Sequence, residues 1–321
     1  MKTMLLAAGR SSRLGALGQT LPKPIIPVCG HPAIAFGLAA CARAGLTDLV
    51  VNLHHRGDAI RDALGDGRAW GVRIAYSTES DLLGTGGGIA HARALLGDGP
   101  VLVMNAKVVA DIDLAALVAA HAASGADATL VVRDDPDARK WGAITSDAEG
   151  RVTGILDARG PRPPAGAAVE RMFTGIQIMG AAIRDRLRPV FCDSVRDAYI
   201  PALRDGADLR AFVLPGYFAE HSTPERYLAG NVALLRRPDL VSHPPGPLVG
   251  IDPRAHVDPR ATIVQPVRID AGAVIEAGAT VGPDVVVGAG ATVTAGAAIS
   301  EAVLWPGVRA EGVVRNTVVS F

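Results

Sequence analysis

Short apolar runs alternate with helix-period segments through the first two thirds of the chain. Met4-Leu5-Leu6-Ala7-Ala8 reads as a buried strand that ends in a glycine turn at Gly9. A helix is predicted from Ala33 to Ala44, stopped by Gly45. Asp48 to Leu53, Val72 to Tyr76, Val101 to Asn105 and Ala128 to Arg133 read as further strands. Helices are predicted between them near 58–64, 89–96 and 114–123, with the glycine-rich stretch 84–88 as a loop before the second. Strands alternating with helices over short connections predict an α/β fold with a mixed, mostly parallel sheet, and ligands at the strand C-termini. A linker-like stretch, His243-Pro244-Pro245-Gly246-Pro247, follows a last helix that runs to about Leu235.

From Ile251 the period changes. Ile251, Val257, Ile263, Ile269, Ile275, Val281, Val287, Val293 and Ile299 recur every six residues, and four residues after each stands Ala or Val. This is a hexapeptide repeat, in which an aliphatic side chain fills the interior of each short strand. Three strands per coil make a parallel β-helix of about three coils. The period breaks near Trp305-Pro306-Gly307, and Val313 to Phe321 is expected to cap the stack. Its expected role is packing, capping and contact between copies of the chain. A second site for acyl transfer would need a base, and within the repeat only His256 is available, in the first coil.

Composition narrows the function classes. Of 321 residues, 49% are apolar and 20% charged, with zero net charge, so nothing favours nucleic acid or an anionic membrane as partner. No run of about 18 uncharged apolar residues marks a membrane span, and the first apolar run is too short for a signal peptide. Cys29, Cys41 and Cys192 are spaced for neither a disulfide framework nor a zinc site and read as buried thiols of a cytoplasmic protein.

The candidate chemistry lies in the first thirty residues. After the strand, Gly9 to Arg13 lets backbone N–H groups approach a phosphate, and Arg13 and Lys23 supply cationic donors. Prolines on both sides of Lys23 fix its backbone. The spacing matches no Walker loop. Leu6 to Leu14, then Pro22-Lys23-Pro24, resembles the signature of the sugar-1-phosphate nucleotidyltransferase family. Further blocks resemble that family in order. Glu79 with Leu83 to Gly88 resembles a block that lies against base and sugar, where a planar ring packs on backbone. Trp141 to Ile144 resembles a lining of the sugar pocket. Phe173 to Ile178 resembles a strand facing the sugar phosphate, and Phe218 to Tyr227 resembles a later block containing Thr-Pro-Glu.

The resemblance implies a nucleotidyltransferase domain over 1–240, a linker over 241–250 and a left-handed β-helix over 251–321. It implies an enzyme that joins a sugar 1-phosphate to a nucleoside triphosphate and releases pyrophosphate. The layout is most similar to the mannose-1-phosphate guanylyltransferase branch, with GDP-mannose as product. It places Arg13, Lys23 and Lys107 in the catalytic machinery. Substrate contacts fall to Ala8, Gly9, Glu79, Gly84, Thr85, Gly86, Gly87, Asn105, Gly142, Thr174 and Gly175. The family also uses Mg²⁺, held by two aspartates. Here Lys107 stands at the first position and Glu220 at the second, which leaves Glu220 as the candidate ligand. Three readings of Lys107 stay open. It replaces part of the metal's charge, or Glu220 recruits metal together with substrate phosphates and Asp111, or the chain is a non-catalytic sugar-nucleotide-binding regulatory subunit. Lys107 could equally pair with Glu220 without any ion. A cytidylyltransferase for a non-sugar phosphate is a further alternative, suited by Ala7 to Arg13 but not by the hexapeptide repeat.

Overall fold

The computed structural model describes residues 1–321. The chain divides into two compact units. One comprises Met1–Gly9, Gly37–Ala106 and Ile112–Gly216; the other comprises Arg10–Phe36, Lys107–Asp111 and Tyr217–Phe321. This grouping differs from the division at 240 drawn from sequence. The segment carrying Arg13 and Lys23 belongs with the hexapeptide repeat, not with the strands that flank it in sequence.

The first unit is built on a ten-stranded sheet. Its strands are β1 (Lys2–Leu6), β2 (Asp48–Leu53), β3 (Arg73–Thr78), β4 (Val101–Asn105), β5 (Ala128–Arg133), β6 (Ala143–Ser146), β7 (Val152–Ile155), β8 (Ala158–Arg159), β9 (Val169–Met179) and β10 (Leu209–Val213). The order is β8-β7-β6-β9-β4-β1-β2-β3, with β5 pairing β9 and β10. Strands β4, β1, β2 and β3 run parallel, as the βα alternation predicted. Val101, Leu102 and Val103 are wholly buried, as continuous apolar strands of a covered sheet should be. The helices α1 (Ala33–Arg43), α2 (Gly57–Leu64), α3 (Gly84–His91) and α4 (Leu114–Ser124) follow strands. Asp113 caps α4, accepting from the Ala116 N–H at 2.9 Å. The stretch 84–88, expected as a loop, is the opening of α3. Tertiary contacts override the poor helix propensity of four glycines there.

Strand β9 pairs antiparallel with β4, β5 and β6, and its register with β5 breaks between Phe173 and Gln177. Four steps along β9 there face two along β5, from Val132 to Leu130. That bulge carries Thr174 and Gly175, the latter at φ +76.

In the second unit the repeat forms a parallel β-helix. Ile251 pairs with Ile269, Val257 with Ile275 and Ile263 with Val281, each 18 residues on, which is three hexapeptides per coil. Ile269, Ile275, Val281, Val287, Val293 and Ile299 fill its interior. Past Pro283 the step shortens: Val287 pairs with Leu304 and Ile299 with Val314. The last strand, Val313–Val319, closes the stack as expected.

Helix α5 (Pro224–Arg236) is capped by Thr223, which accepts from the Arg226 N–H. It joins the β-helix to the Arg13–Lys23 segment within this unit. Tyr227 is fully buried, and its hydroxyl accepts from Trp305 Nε1 at 3.0 Å and donates to the Pro27 carbonyl. Asn231 Oδ1 accepts from the Cys29 N–H at 2.7 Å, and Arg236 forms a two-pronged pair with Asp284 at 3.0 and 2.7 Å. Leu14, Leu17, Ile26 and Val28 share one core with Trp305 and the β-helix interior.

All three cysteines are free. Burial pushes the thiols of Cys29 and Cys41 up to about 12, so they are inert. Cys192 is half-buried, not buried as expected. No helix is long and apolar enough to cross a membrane.

Candidate active site

The predicted residues fall into two groups, one in each unit. In the second unit, Val108–Ala110 and Phe218–Glu220 form a two-stranded antiparallel ladder in which Glu220 faces Val108. The ladder, extended by the His221 N–H donating to the Lys107 carbonyl at 3.4 Å, sets Lys107 beside Glu220. Lys107 Nζ lies 2.5 Å from Glu220 Oε1, and an Arg13 nitrogen lies 3.7 Å from the same oxygen. Burial alone would raise the Glu220 carboxyl, but Lys107, Arg13 and Arg226 outweigh it and hold it below the usual carboxylate range.

Lys23 is buried at the foot of this cluster. Its backbone N–H donates to Ser11 Oγ at 2.9 Å, which fixes the turn that Pro22 and Pro24 stiffen. Burial, then the like charges of Lys107 and Arg13, pushes its ammonium down to about 8. Lys107 and Arg13 therefore crowd one carboxylate with Lys23 within reach of their charge, an arrangement poised to receive an anion.

The donor set does not fit a resident divalent ion. Magnesium wants oxygen ligands at near-octahedral positions, normally including one or two free carboxylates. Glu220 is the carboxylate on hand, and it is bridged by an ammonium and faced by a guanidinium. Asp111, the other candidate, spends its two oxygens on the N–H and hydroxyl of Ser242, at 3.0 and 3.1 Å. Nowhere do three His, Cys, Asp or Glu side chains gather as ligands would.

His221 escaped the sequence reading. It is fully buried against Gly230, where an added Cβ would meet Nε2 at 2.4 Å, and neither ring nitrogen has a hydrogen-bond partner. Burial pushes its imidazole from 6.5 down to about 4, so it is neutral at pH 7. Because the folded value lies below the unfolded one, the unfolded chain binds the extra proton between them. The stabilisation is complete above pH 6.5 and is lost as pH falls toward 4, which corresponds to about 3 kcal/mol. Urea unfolding followed from pH 7 to 4 should show that loss, and His221→Leu should flatten it. An unchanged slope in the variant would place the acid sensitivity elsewhere.

In the first unit a second constellation forms at the strand ends. Asn52, at the end of β2, accepts from the Ala7 N–H through Oδ1 and donates to Glu79 Oε1 through Nδ2, both at 2.7 Å. Glu79 Oε2 in turn accepts from the Leu83 N–H at 3.1 Å. Asn52 thus ties the strand before Gly9 to Glu79. Only its place at a strand end could have signalled it.

The glycines of 84–88 make room for the chain itself. A Cβ on Gly84 would meet the Cys192 carbonyl at 2.6 Å, and one on Gly87 the Val190 carbonyl at 2.0 Å. One on Gly86 would meet Cys192 Sγ at 2.9 Å, and one on Gly88 would meet Glu79 Oε1 at 2.6 Å. The chain's own segment 190–193 therefore occupies the room left by Gly84, Gly86 and Gly87, and Glu79 that left by Gly88. Thr85 pins the same segment, donating to Asp193 Oδ2 at 3.2 Å and accepting from the Ser194 N–H at 3.0 Å. Gly9 and Gly142, by contrast, face open space.

Gly142 lies in a cleft of about 270 Å³ with a floor of Trp141, Ile144, Ile155 and Phe173. Arg139, Lys140 and Arg196 line it as well, with Asp193. Arg139 is paired to Glu170 at 2.8 Å, and the Lys140 ammonium lies 5.2 Å from the Trp141 ring centre. At the β9 bulge, a Cβ on Gly175 would meet Asn105 Nδ2 at 2.2 Å, so these two positions are in contact. Thr174 does not offer its hydroxyl as expected: it is buried, donating to the Val131 carbonyl at 2.8 Å and accepting from the Ile176 N–H. Arg159 gives one nitrogen to the carbonyls of Leu156 and Ala158.

Comparison with known proteins finds relatives over most of the chain. A family profile described as nucleotidyl transferase matches residues 2–157. A mannose-1-phosphate guanyltransferase of Schizosaccharomyces pombe is 30% identical over 270 residues, covering 80% of this chain and 73% of the relative. A mannose-1-phosphate guanylyltransferase of Mycobacterium tuberculosis is 31% identical over 235 residues, covering 73% of this chain and 64% of that protein. An N-acetylmuramate alpha-1-phosphate uridylyltransferase of Neisseria meningitidis is 50% identical over 117 residues, which is 36% of this chain and 51% of that one. Among solved structures, HddC from Yersinia pseudotuberculosis complexed with GMP-PN superposes with a TM-score of 0.60 at 20% identity, covering 73% of this chain and 99% of that one. The last likeness speaks for the fold alone.

Proposed function

This chain belongs to the sugar-1-phosphate nucleotidyltransferase family, and on that premise we propose that it transfers a nucleoside monophosphate from a nucleoside triphosphate to a sugar 1-phosphate. The observation that carries the reading is the cationic cluster of Arg13, Lys23 and Lys107. An oxygen of the sugar phosphate attacks the α-phosphorus. The bond from that phosphorus to the bridging oxygen of the β-phosphate breaks, and pyrophosphate leaves with the electron pair. The substrate brings its own nucleophile, so the protein positions groups and neutralises charge. In this assignment Arg13 takes the outer phosphates and the leaving pyrophosphate, while Lys23 and Lys107 serve the α-phosphate. Ala8, Gly9 and Glu79, held by Asn52, frame the nucleoside. Gly142, Asn105 and Gly175 serve the sugar phosphate side.

Two sugar readings follow from the relatives. Mannose 1-phosphate with GTP is the first, supported by the long matches to the yeast and mycobacterial enzymes. A sugar acid with UTP is the second, supported by the 50% match to the neisserial enzyme and by the cations lining the cleft at Gly142. The relatives named above are enzymes and lend no support to a regulatory subunit. A panel of sugar 1-phosphates and nucleoside triphosphates, with NDP-sugar identified by mass, tests the proposal. Turnover with mannose 1-phosphate and GTP selects the first reading, and turnover confined to a carboxylated sugar with UTP selects the second. The absence of any NDP-sugar with any pair contradicts both.

A further inference from the structure

We propose that the Arg13–Lys23–Lys107 cluster is a polyphosphate site that works without a divalent ion, with the Lys107 ammonium carrying the charge a metal would bring. The inference rests on the functional reading above and concerns the same phosphates.

Three observations carry it. The backbone of Lys107 is held through the Val108–Glu220 ladder and the hydrogen bond from the His221 N–H to the Lys107 carbonyl, and its ammonium is anchored by Glu220 at 2.5 Å. Next, the Glu220 oxygen within 2.5 Å of Lys107 is already compensated, so a divalent ion there would meet an ammonium and a guanidinium at close range. Finally, the charges do not balance. A mere clamp would need one cation for one carboxylate, yet Arg13 faces Glu220 as well, and Lys23 is near enough to feel the like charges of Lys107 and Arg13. With all three protonated, three positive charges against one negative leave a net +2. Unbalanced charge that is partly withdrawn from water calls for a counter-ion. Orthophosphate carries at most about two negative charges on one centre, whereas pyrophosphate or a triphosphate carries more and spreads them over linked phosphoryl groups that can reach several cations at once.

Inorganic pyrophosphate is the probe, titrated by calorimetry into the full chain in the presence of chelator, with orthophosphate alongside and with magnesium in a parallel series. The wild type is expected to bind pyrophosphate in chelator, more tightly than orthophosphate and within about tenfold of its affinity in magnesium. Lys107→Met should lose about tenfold or more in chelator, the usual effect of removing a charge-assisted contact. Lys107→Asp places two carboxylates against two cations and should bind pyrophosphate only when magnesium is added. Circular dichroism checks that both variants fold. Wild-type binding that needs magnesium, or Lys107→Met binding as the wild type does in chelator, overturns the inference and leaves the proposed reaction standing. Binding in neither chelator nor magnesium overturns the inference and the phosphate assignment on which it rests. Orthophosphate binding as tightly as pyrophosphate also overturns it, because the site then takes any small anion.

Discussion

Lys23→Met should lower kcat/KM about a thousandfold while leaving the melting temperature unchanged or raised. A preorganised charge aimed at developing negative charge contributes on the order of a hundred- to a thousandfold to rate, and it acts most strongly where water is excluded. Lys23 is buried, so removing its charge takes away that contribution at full strength. The same burial costs the folded chain, as the fall of its ammonium to about 8 shows, and methionine carries no such cost. A bound polyphosphate favours the charged form. Binding near pH 8 should therefore take up protons, and affinity should fall as pH rises through about 8. Titrations in buffers of different ionisation enthalpy measure the uptake. Lys23→Arg, whose charge persists, should keep its affinity across that range. A Lys23→Met protein that turns over normally would remove Lys23 from the mechanism.

Trp305→Ala should destabilise the unit containing the β-helix by about 4 kcal/mol and also lower activity. Truncating a fully buried tryptophan costs about 3–5 kcal/mol in transfer and cavity terms. Trp305 is wholly buried, and its indole N–H donates to the Tyr227 hydroxyl, which donates to the Pro27 carbonyl three residues from Pro24. The loss should reach Lys23 and Arg13 because Leu14, Leu17 and Ile26 share the core that the tryptophan fills. Denaturant unfolding and steady-state kinetics well below the midpoint check the two halves. Lost stability with unaltered kinetics would reduce the β-helix to a passive appendage.

The elements were legible where one chemical pattern repeats. The six-residue spacing from Ile251 to Ile299 forecast the 18-residue register, because an interior only wide enough for aliphatic side chains tolerates nothing else. The parallel strands were legible because Val101 to Val103 is apolar on both faces. Lys107 against Glu220 was foreseeable once both stood at positions the family gives to its metal. What escaped depends on partners distant in sequence. The packing of segment 190–193 on Gly84, Gly86 and Gly87 was not legible, because nothing local announces a neighbour a hundred residues away. Thr174 looked free because its acceptor is Val131, reached only across the β9 bulge. The membership of Arg10–Phe36 in the β-helix unit depends on a core shared between distant stretches and on contacts such as Tyr227 with Pro27, which carry no period at all.

Nucleotidyl transfer is tested most directly by phosphorus NMR of the wild-type chain with each nucleoside triphosphate and sugar 1-phosphate. One pair should give pyrophosphate and a sugar-linked diphosphate in equal amounts, and omitting the sugar phosphate should stop both. A triphosphate that stays intact beside every sugar phosphate, while the protein still binds it, would exclude the transfer.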